Sequence, residues 1–485
     1  MAQAIDTTRT KTAVSSADVR SLWMRWQRYL QEPVDGSSLA LFRILFGVIM
    51  LWEVWRYVSK GWIDRYYIDP TFFFSYVPFI RPWEGEGMYW HFGLLGLLSV
   101  MMALGLHYRI ASILFFPAFT YVFLLDKTQY LNHFYLISLI SLLLAIVPAH
   151  RAWSLDRLRS RDTSPGMVPR WSLAILRAQI VVVYFYGGIA KLNPDWLQGQ
   201  PIGMWLAQNS DSSILGPLLV QKWTGLVFAY GGLVVDLSVG FLLLFRRTFW
   251  LGVIIVLMFN LINADVFQIG IFPFFMIGAL VLFPRPDWPR RLLDGKQPQK
   301  RVRRKNHQKT DSTAPLPEEI LPTSRRRMPV FELGSGVLII LVLHLYLAAN
   351  LTVPLRHWLY PSNVNWSEEG HRFSWRMKLR DKSVNLAMFA TNPQTGERTE
   401  IDFDEWLTDR QRRKMSARPD MILQFAHYYA DRYEEQHGIR PIVNARAYAS
   451  LNGRPPQVMI DFEVDLASQP VTLGASAWIL PLEDD

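Results

Sequence analysis

The residue with the most chemical promise is Lys191, which ends the apolar run Ile180–Ala190 and opens Lys191-Leu192-Asn193-Pro194-Asp195-Trp196. An amine at the mouth of a hydrophobic segment can be an interface anchor, its stem buried and its head in water. It can equally be a base, because an apolar setting disfavours the charged form of an amine. A second polar cluster, Asp126-Lys127-Thr128-Gln129-Tyr130-Leu131-Asn132-His133, also lies between apolar runs. His133 alone reads as a satisfied helix-end histidine. With Asn132 beside it and Lys191 at the same membrane boundary, it suggests a polar site in an apolar cavity.

The elements that must hold these groups follow from composition. Half of the 485 residues are hydrophobic, 14% are aromatic and only 19% are charged. The apolar residues come in blocks, several long enough for the ~20 residues a bilayer crossing needs. Nine spans are expected, near 38–57, 88–106, 109–126, 132–149, 171–191, 224–245, 249–264, 267–284 and 331–352. The seventh and eighth are short and separated only by Asn263-Ala264-Asp265, as half-helices or a re-entrant pair would be. Residues 1–20 carry no apolar stretch before a small-residue cleavage site, unlike a signal peptide. Residues 21–31 set Leu22, Trp23, Trp26, Tyr29 and Leu30 against Arg25, Arg28 and Gln31, the pattern of an interfacial helix.

Charge orients the bundle. The net charge of +10 is concentrated in segments 151–170 and 285–327, which hold five and thirteen Lys or Arg against two and five acids. Arg246-Arg247 fills the turn between the sixth and seventh spans. Basic loops stay cytoplasmic. An inside N-terminus with nine spans puts all of these inside, and puts 58–87, 127–131, 192–223 and the C-terminal region outside. Lys191 and the 126–133 turn then share the outer boundary. The basic tracts suit anionic lipid, and no nucleic-acid partner is expected.

The chain therefore divides into a cytoplasmic N-terminal segment (1–32), a transmembrane domain (33–290), a basic cytoplasmic linker (291–328), a last transmembrane helix (329–354) and an extracytoplasmic domain (355–485). The fold class is a polytopic α-helical membrane bundle followed by a small β-rich α+β domain. In that domain Phe373, Trp375, Met377 and Leu379 alternate with polar residues, and Asn392-Pro393-Gln394-Thr395-Gly396 reads as a hairpin turn. Helices are expected over 403–415 and 419–437, and strands near 441–451 and 456–464. There is no Walker loop, GxGxxG, HExxH or GxSxG. The chain has no cysteine, so disulfides and thiol chemistry are excluded, and its ten His do not fall at metal-ligand spacings.

Read in order, the short motifs resemble the vitamin K-dependent γ-carboxylase family, membrane proteins that share the HTTM domain. The resemblance is carried by Asp126-Lys127-Thr128, Asn132-His133-Phe134-Tyr135-Leu136, Leu176-Arg177-Ala178-Gln179-Ile180 and Val183-Tyr184-Phe185. It continues through Gly188-Ile189-Ala190-Lys191-Leu192, Asp195-Trp196, Gly231-Gly232-Leu233, Asp236-Leu237-Ser238 and Phe267-Gln268-Ile269-Gly270. In the C-terminal region it includes Asn365-Trp366, Phe373-Ser374-Trp375 and Pro419-Asp420-Met421. It runs from about residue 33 to the end, leaving out the linker, and the chain is expected to be a bacterial homologue.

The resemblance implies a coupled reaction. A reduced vitamin K hydroquinone, phylloquinol or menaquinol, is deprotonated and attacked by O2. The strong base formed on the way to the epoxide removes a γ-proton from a glutamate side chain, and CO2 adds. Lys191 takes the place of the base that starts hydroquinone oxidation, His133 that of the histidine of the carboxylation step, and Asn132 that of its neighbour. Asn132, Lys191 and Tyr184 are the expected quinol contacts. The implied partners are the lipid bilayer, the lipophilic hydroquinone and a glutamate-containing peptide or protein, with no metal. Departures are Ala190 before Lys191, where animal members have a second lysine, Asn260 in place of a histidine, and Lys378 after Met377 in place of a second methionine. The alternatives are a hydroquinone epoxidase that does not carboxylate protein glutamate, and a non-enzymatic membrane protein.

Overall fold

The computed structural model describes residues 16–160, 166–208, 210, 216–267, 270–294 and 333–483. Most of the basic linker expected over 291–328 lies outside the described residues, as do the first fifteen positions. The amphipathic segment forms helix α1 (Ser16–Gln31), longer than the 21–31 expected. The apolar blocks form α2 (Ser37–Ser59), α3 (Gly87–Leu104), α4 (Tyr108–Leu125), α5 (Asn132–Ile146) and α6 (Trp171–Ala190). They continue as α7 (Lys222–Leu244), α8 (Phe249–Phe267), α9 (Phe272–Ala279) and α10 (Leu333–Thr352).

This is a multi-pass membrane protein, but nine full spans are not found. Six helices among the described residues, α2, α3, α4, α6, α7 and α10, are long and apolar enough to cross a bilayer, and the apolar stretches 132–146, 249–264 and 272–282 are shorter. The reasons are local. Helix α5 stops before Val147-Pro148, where the residue preceding proline is driven out of helical geometry. The break expected at Asn263-Ala264-Asp265 does not occur, because α8 runs on to Phe267; before α9, Gly270 has a φ of +65°, which suits glycine.

Aromatic side chains fill the middle of the bundle. Phe46 of α2 meets Phe115 of α4 and Phe275 of α9 edge-on, with ring centroids 5.6 and 6.3 Å apart. Helices α6 and α7 pack through small residues, the usual route to close contact in lipid. A Cβ on Gly188 would come within 2.7 Å of the Leu237 side chain, so this pair could not approach as it does with any larger residue there. Strands β1 (Pro33–Asp35) and β2 (Met167–Pro169) pair antiparallel, Val34 opposite Val168, and tie the starts of α2 and α6 together.

After α10 the chain builds a separate layer. Strands β3 (Lys382–Thr391), β4 (Arg398–Glu400), β5 (Ile442–Leu451) and β6 (Gln457–Val458) form one antiparallel sheet in the order β4-β3-β5-β6. Helices α11 (Asp409–Ser416) and α12 (Pro419–His437) complete it. In β5 every second residue, Val443 to Leu451, is buried. These positions share a core with Ile422, Phe425 and Ala426 of α12. The Asn392 turn forms as expected: its carboxamide oxygen accepts from the Gln394 N–H at 2.9 Å, and it joins β3 to β4.

Three expectations here need correction. The alternation from Phe373 to Leu379 is not a strand, since Phe373, Trp375 and Lys378 all have positive φ and the segment is a tight irregular loop. The helix expected from 403 starts only at Asp409, because Thr408 and Gln411 close a capping box there. The strand expected over 456–464 is reduced to Gln457–Val458. The sheet domain docks on one end of the bundle. There Asp195 accepts from Arg454 at 2.6 and 3.0 Å and from Asn452 at 2.6 Å, while Lys127 meets Asp420 at 3.2 Å.

Candidate functional site

Beneath this docked domain lies a cavity of about 500 Å³, within the roughly 300–1,000 Å³ usual for small-molecule sites. All four residues singled out in the sequence, Asn132, His133, Tyr184 and Lys191, line it. Each is placed by a helix end or a helix face. Leu131 is extended and serves as N-cap, so Asn132 and His133 begin α5 with their side chains at the cavity. Asn132 accepts from the Tyr130 hydroxyl at 3.1 Å and donates to the Arg376 carbonyl at 3.1 Å, joining bundle to domain. His133 is buried between rings, with Phe134 edge-on at 5.0 Å and Phe272 at 6.0 Å. Tyr184 points from α6, and its hydroxyl accepts from the Asn260 carboxamide at 3.1 Å.

Lys191 caps the C-terminus of α6, where the helix dipole favours a cation. It is only 6% exposed, so its head is not in water as an anchor's would be. Its setting also differs from the purely apolar one expected. The amine forms a buried ion pair with the Asp236 carboxylate of α7, and it lies 5.1 Å from the centre of the Trp196 ring. The sequence marks Asp236 only as the first residue of the Asp236-Leu237-Ser238 motif, with no role attached. Nothing in it shows that residues 45 positions apart would meet; the small residues on facing helices are the signal that could have suggested it.

The side of the cavity toward the sheet domain is cationic. Arg376, Lys378, Arg380 and Arg418 line it with His371. Arg380 holds Glu368 through two contacts of 2.6 Å and donates to the His371 ring. Burial, followed by the charges of Arg380 and Arg376, holds that imidazole well below the ordinary histidine range, so it is neutral at pH 7. Burial likewise brings the Arg376 and Arg418 guanidinium groups down to about 10, still charged at neutral pH. Sequence reading found Met377 and Lys378 here but not the arginines, although Arg372, Arg376 and Arg380 recur every fourth residue. Among the described residues no three His, Asp or Glu side chains come together as metal ligands do.

The site is thus an apolar chamber in a membrane bundle, with a buried Lys–Asp pair on one wall and an arginine-rich roof supplied by a separate domain. Residues 31–288 match the HTTM domain, and residues 336–485 match the lumenal domain of vitamin K-dependent gamma-carboxylase. The chain belongs to the vitamin K-dependent γ-carboxylase family. No solved structure matches it.

Proposed function

We propose that this protein is a vitamin K-dependent γ-glutamyl carboxylase-like enzyme that couples hydroquinone epoxidation by O2 to addition of CO2 to a glutamate side chain. The observation that carries the reading is the convergence of Lys191, Asp236, His133, Asn132 and Tyr184 on one cavity under a cationic roof. The cavity fits a hydroquinone ring. Its walls at Val183, Leu206, Phe228 and Phe272 are apolar, and its hydrogen-bonding groups are gathered rather than scattered. When bound, the hydroquinone supplies the reducing electrons: one oxygen atom of O2 ends in the epoxide and the other in water.

The residues then divide the work. The Lys191 amine accepts the hydroquinone's hydroxyl proton, for which it must first be neutral. Asp236 makes that possible, because passing the proton to the carboxylate turns an ion pair into a neutral pair, removing two buried charges while leaving the net charge unchanged. In a dry cavity this transfer is favoured relative to water, where solvation stabilises the separated charges. General-base help of this kind is typically worth about 10²–10⁴ in rate. Tyr184, held by Asn260, and Asn132, held by Tyr130, orient the ring. Arg376 and Arg418 attract the glutamate carboxylate, and His133 serves the carboxylation half. The apolar walls exclude water that would quench a strong base. In this reading the N-terminus is cytoplasmic and the sheet domain extracytoplasmic.

The test is epoxide formation by purified protein supplied with vitamin K hydroquinone and O2, with a glutamate peptide and labelled bicarbonate present, wild type against Lys191→Ala. Epoxide that depends on Lys191, with label in the peptide, supports the full reaction. Epoxide without label favours the second reading, an epoxidase without protein-glutamate carboxylation, for which Lys378 in place of a methionine in the roof is the motivating observation. No epoxide from folded wild type refutes both.

A further inference from the structure

Helix α7 borders a second recess, apart from the chamber that holds Lys191. It is a groove of about 680 Å³ that runs past Leu237, Ser238, Phe241 and Phe245 and ends at Arg246 and Arg247. From Leu237 to Phe245 is about 12 Å at the ~1.5 Å rise of an α-helix. Phe241 and Phe245 are exposed on the bundle's apolar surface, so the groove is open to lipid along its length. Its charged end lies away from the sheet domain. Gly232 sits beside Lys191 and Gly240 beside Val181, so α7 runs antiparallel to α6 and finishes near the end where Arg290 pairs with Asp35. Arginines at a helix C-terminus on the basic side of a membrane protein are ordinary. These two differ from their neighbours in lacking a protein partner. Arg290 holds Asp35 at 2.8 Å, and Arg177 donates to the Leu282 and Pro284 carbonyls at 2.6 and 3.1 Å. Among the described residues neither Arg246 nor Arg247 forms an ion pair or a side-chain hydrogen bond. Trp250 stands just past the pair and is 72% exposed, as aromatic rings are at headgroup depth.

We propose that this groove is a binding site for an anionic phospholipid, whose phosphate lies on Arg246 and Arg247 and whose acyl chain lies along Phe245, Phe241 and Ser238. The polar end has two cations and the lining has no carboxylate, so it favours an anionic head over a zwitterionic one. Guanidinium groups also meet phosphate oxygens through paired N–H donors, which fixes the head in place. The apolar length behind the arginines adds an acyl chain, which a free phosphate ion lacks. No residue of the groove lines the Lys191 chamber, so the inference does not depend on the hydroquinone reading.

The experiment takes the full chain, stripped of lipid in a neutral detergent. It is titrated with phosphatidylglycerol or with phosphatidylcholine of the same acyl chains, and bound lipid is counted by native mass spectrometry. Wild type is expected to bind phosphatidylglycerol about tenfold more tightly. Arg246→Gln/Arg247→Gln should lose that preference; both side chains are exposed, so the fold does not rest on them. Arg25→Gln/Arg159→Gln removes the same charge from exposed positions outside the groove and should keep the preference. Ser238→Trp fills the groove with the arginines in place. It should weaken phosphatidylglycerol about tenfold or more, since losing the burial of about two CH2 groups suffices. The serine hydroxyl bonds to the Val234 carbonyl of its own helix, so no contact between helices is lost. A phosphatidylglycerol with a photoreactive group midway along its acyl chain should label Phe241 or Phe245 in wild type and neither in Ser238→Trp. Equal affinity of wild type for the two lipids would overturn the proposal. An equal loss in the Arg25/Arg159 variant would do the same, because attraction to diffuse charge would then explain the binding. Displacement of the lipid by excess inorganic phosphate, with neither phenylalanine labelled, would assign the arginines to a free anion and overturn it too.

Discussion

Asp236→Asn is the most informative perturbation, because it removes the partner of Lys191 while keeping shape. Two unit charges at an ordinary ion-pair separation of ~3 Å and an effective dielectric of about 20 attract by about 5.5 kcal/mol. With side chains 7% and 5% exposed, solvent screening is small. Much of that attraction offsets the cost of desolvating two charges, so the pair itself adds little net stability. Leaving one partner alone is different: a lone buried charge costs about 3–5 kcal/mol. Asp236→Asn and Lys191→Met should each therefore lower thermal stability in nanodiscs, and the double variant should return to within about 1 kcal/mol of wild type. Epoxide formation should fall by about 10²–10⁴ in either single variant. It should fall no further in the double, because the two act as one base. A coupling energy below about 1 kcal/mol would sink the pair, and a wild-type rate in Asp236→Asn would refute its role in proton transfer.

Replacing His133 by Ala should separate the two half-reactions, with epoxide still formed while label entering a glutamate peptide drops about 10²-fold or more; an equal fall in both would place His133 with the quinol instead. Burial lowers the Lys382 amine of the sheet domain to about 7, and Lys414 also to about 7. Their unfolded value is near 10.5, so the unfolded chain binds more protons between about 7 and 10.5, and the contribution of these two lysines to stability should rise with pH across that window and be constant below it. Thermal unfolding of Lys382→Met should show a visibly shallower slope over the same window; an unchanged slope would remove Lys382 as its source. Asp195→Ala deletes the carboxylate that Arg454 and Asn452 share, costing about 1.5–3 kcal/mol. Limited proteolysis should then cut between the bundle and the sheet domain faster than in wild type, and an unchanged rate would show that the other contacts suffice.

Much of the architecture was legible because hydrophobic length is a local property. Each apolar block became a helix within a few residues of its expected position, and the turn at Asn392 and the helix 419–437 were read from local chemistry alone. What was misread depended on neighbours. The Phe373–Leu379 alternation imitates a strand, but the segment is pulled into a loop whose Phe373 N–H donates to Tyr130 at 2.6 Å and whose Arg376 carbonyl accepts from Asn132. The helix after 403 starts late because Gln411 reaches both into its capping box and across to the Phe72 carbonyl at 2.6 Å.

The sequence by itself determined a membrane-embedded helical bundle with a β-rich appendage, and it singled out Lys191, His133 and Asn132 by type and place, with Tyr184 added by the family resemblance. Bilayer crossing and residue type need no knowledge of contacts. Only the tertiary structure decided that these four share a cavity, that Asp236 sits on Lys191, and that arginines from another domain close the roof. Those facts depend on the close approach of α6 and α7 and on the docking of residues more than 200 positions apart, which periodicity along the chain does not encode.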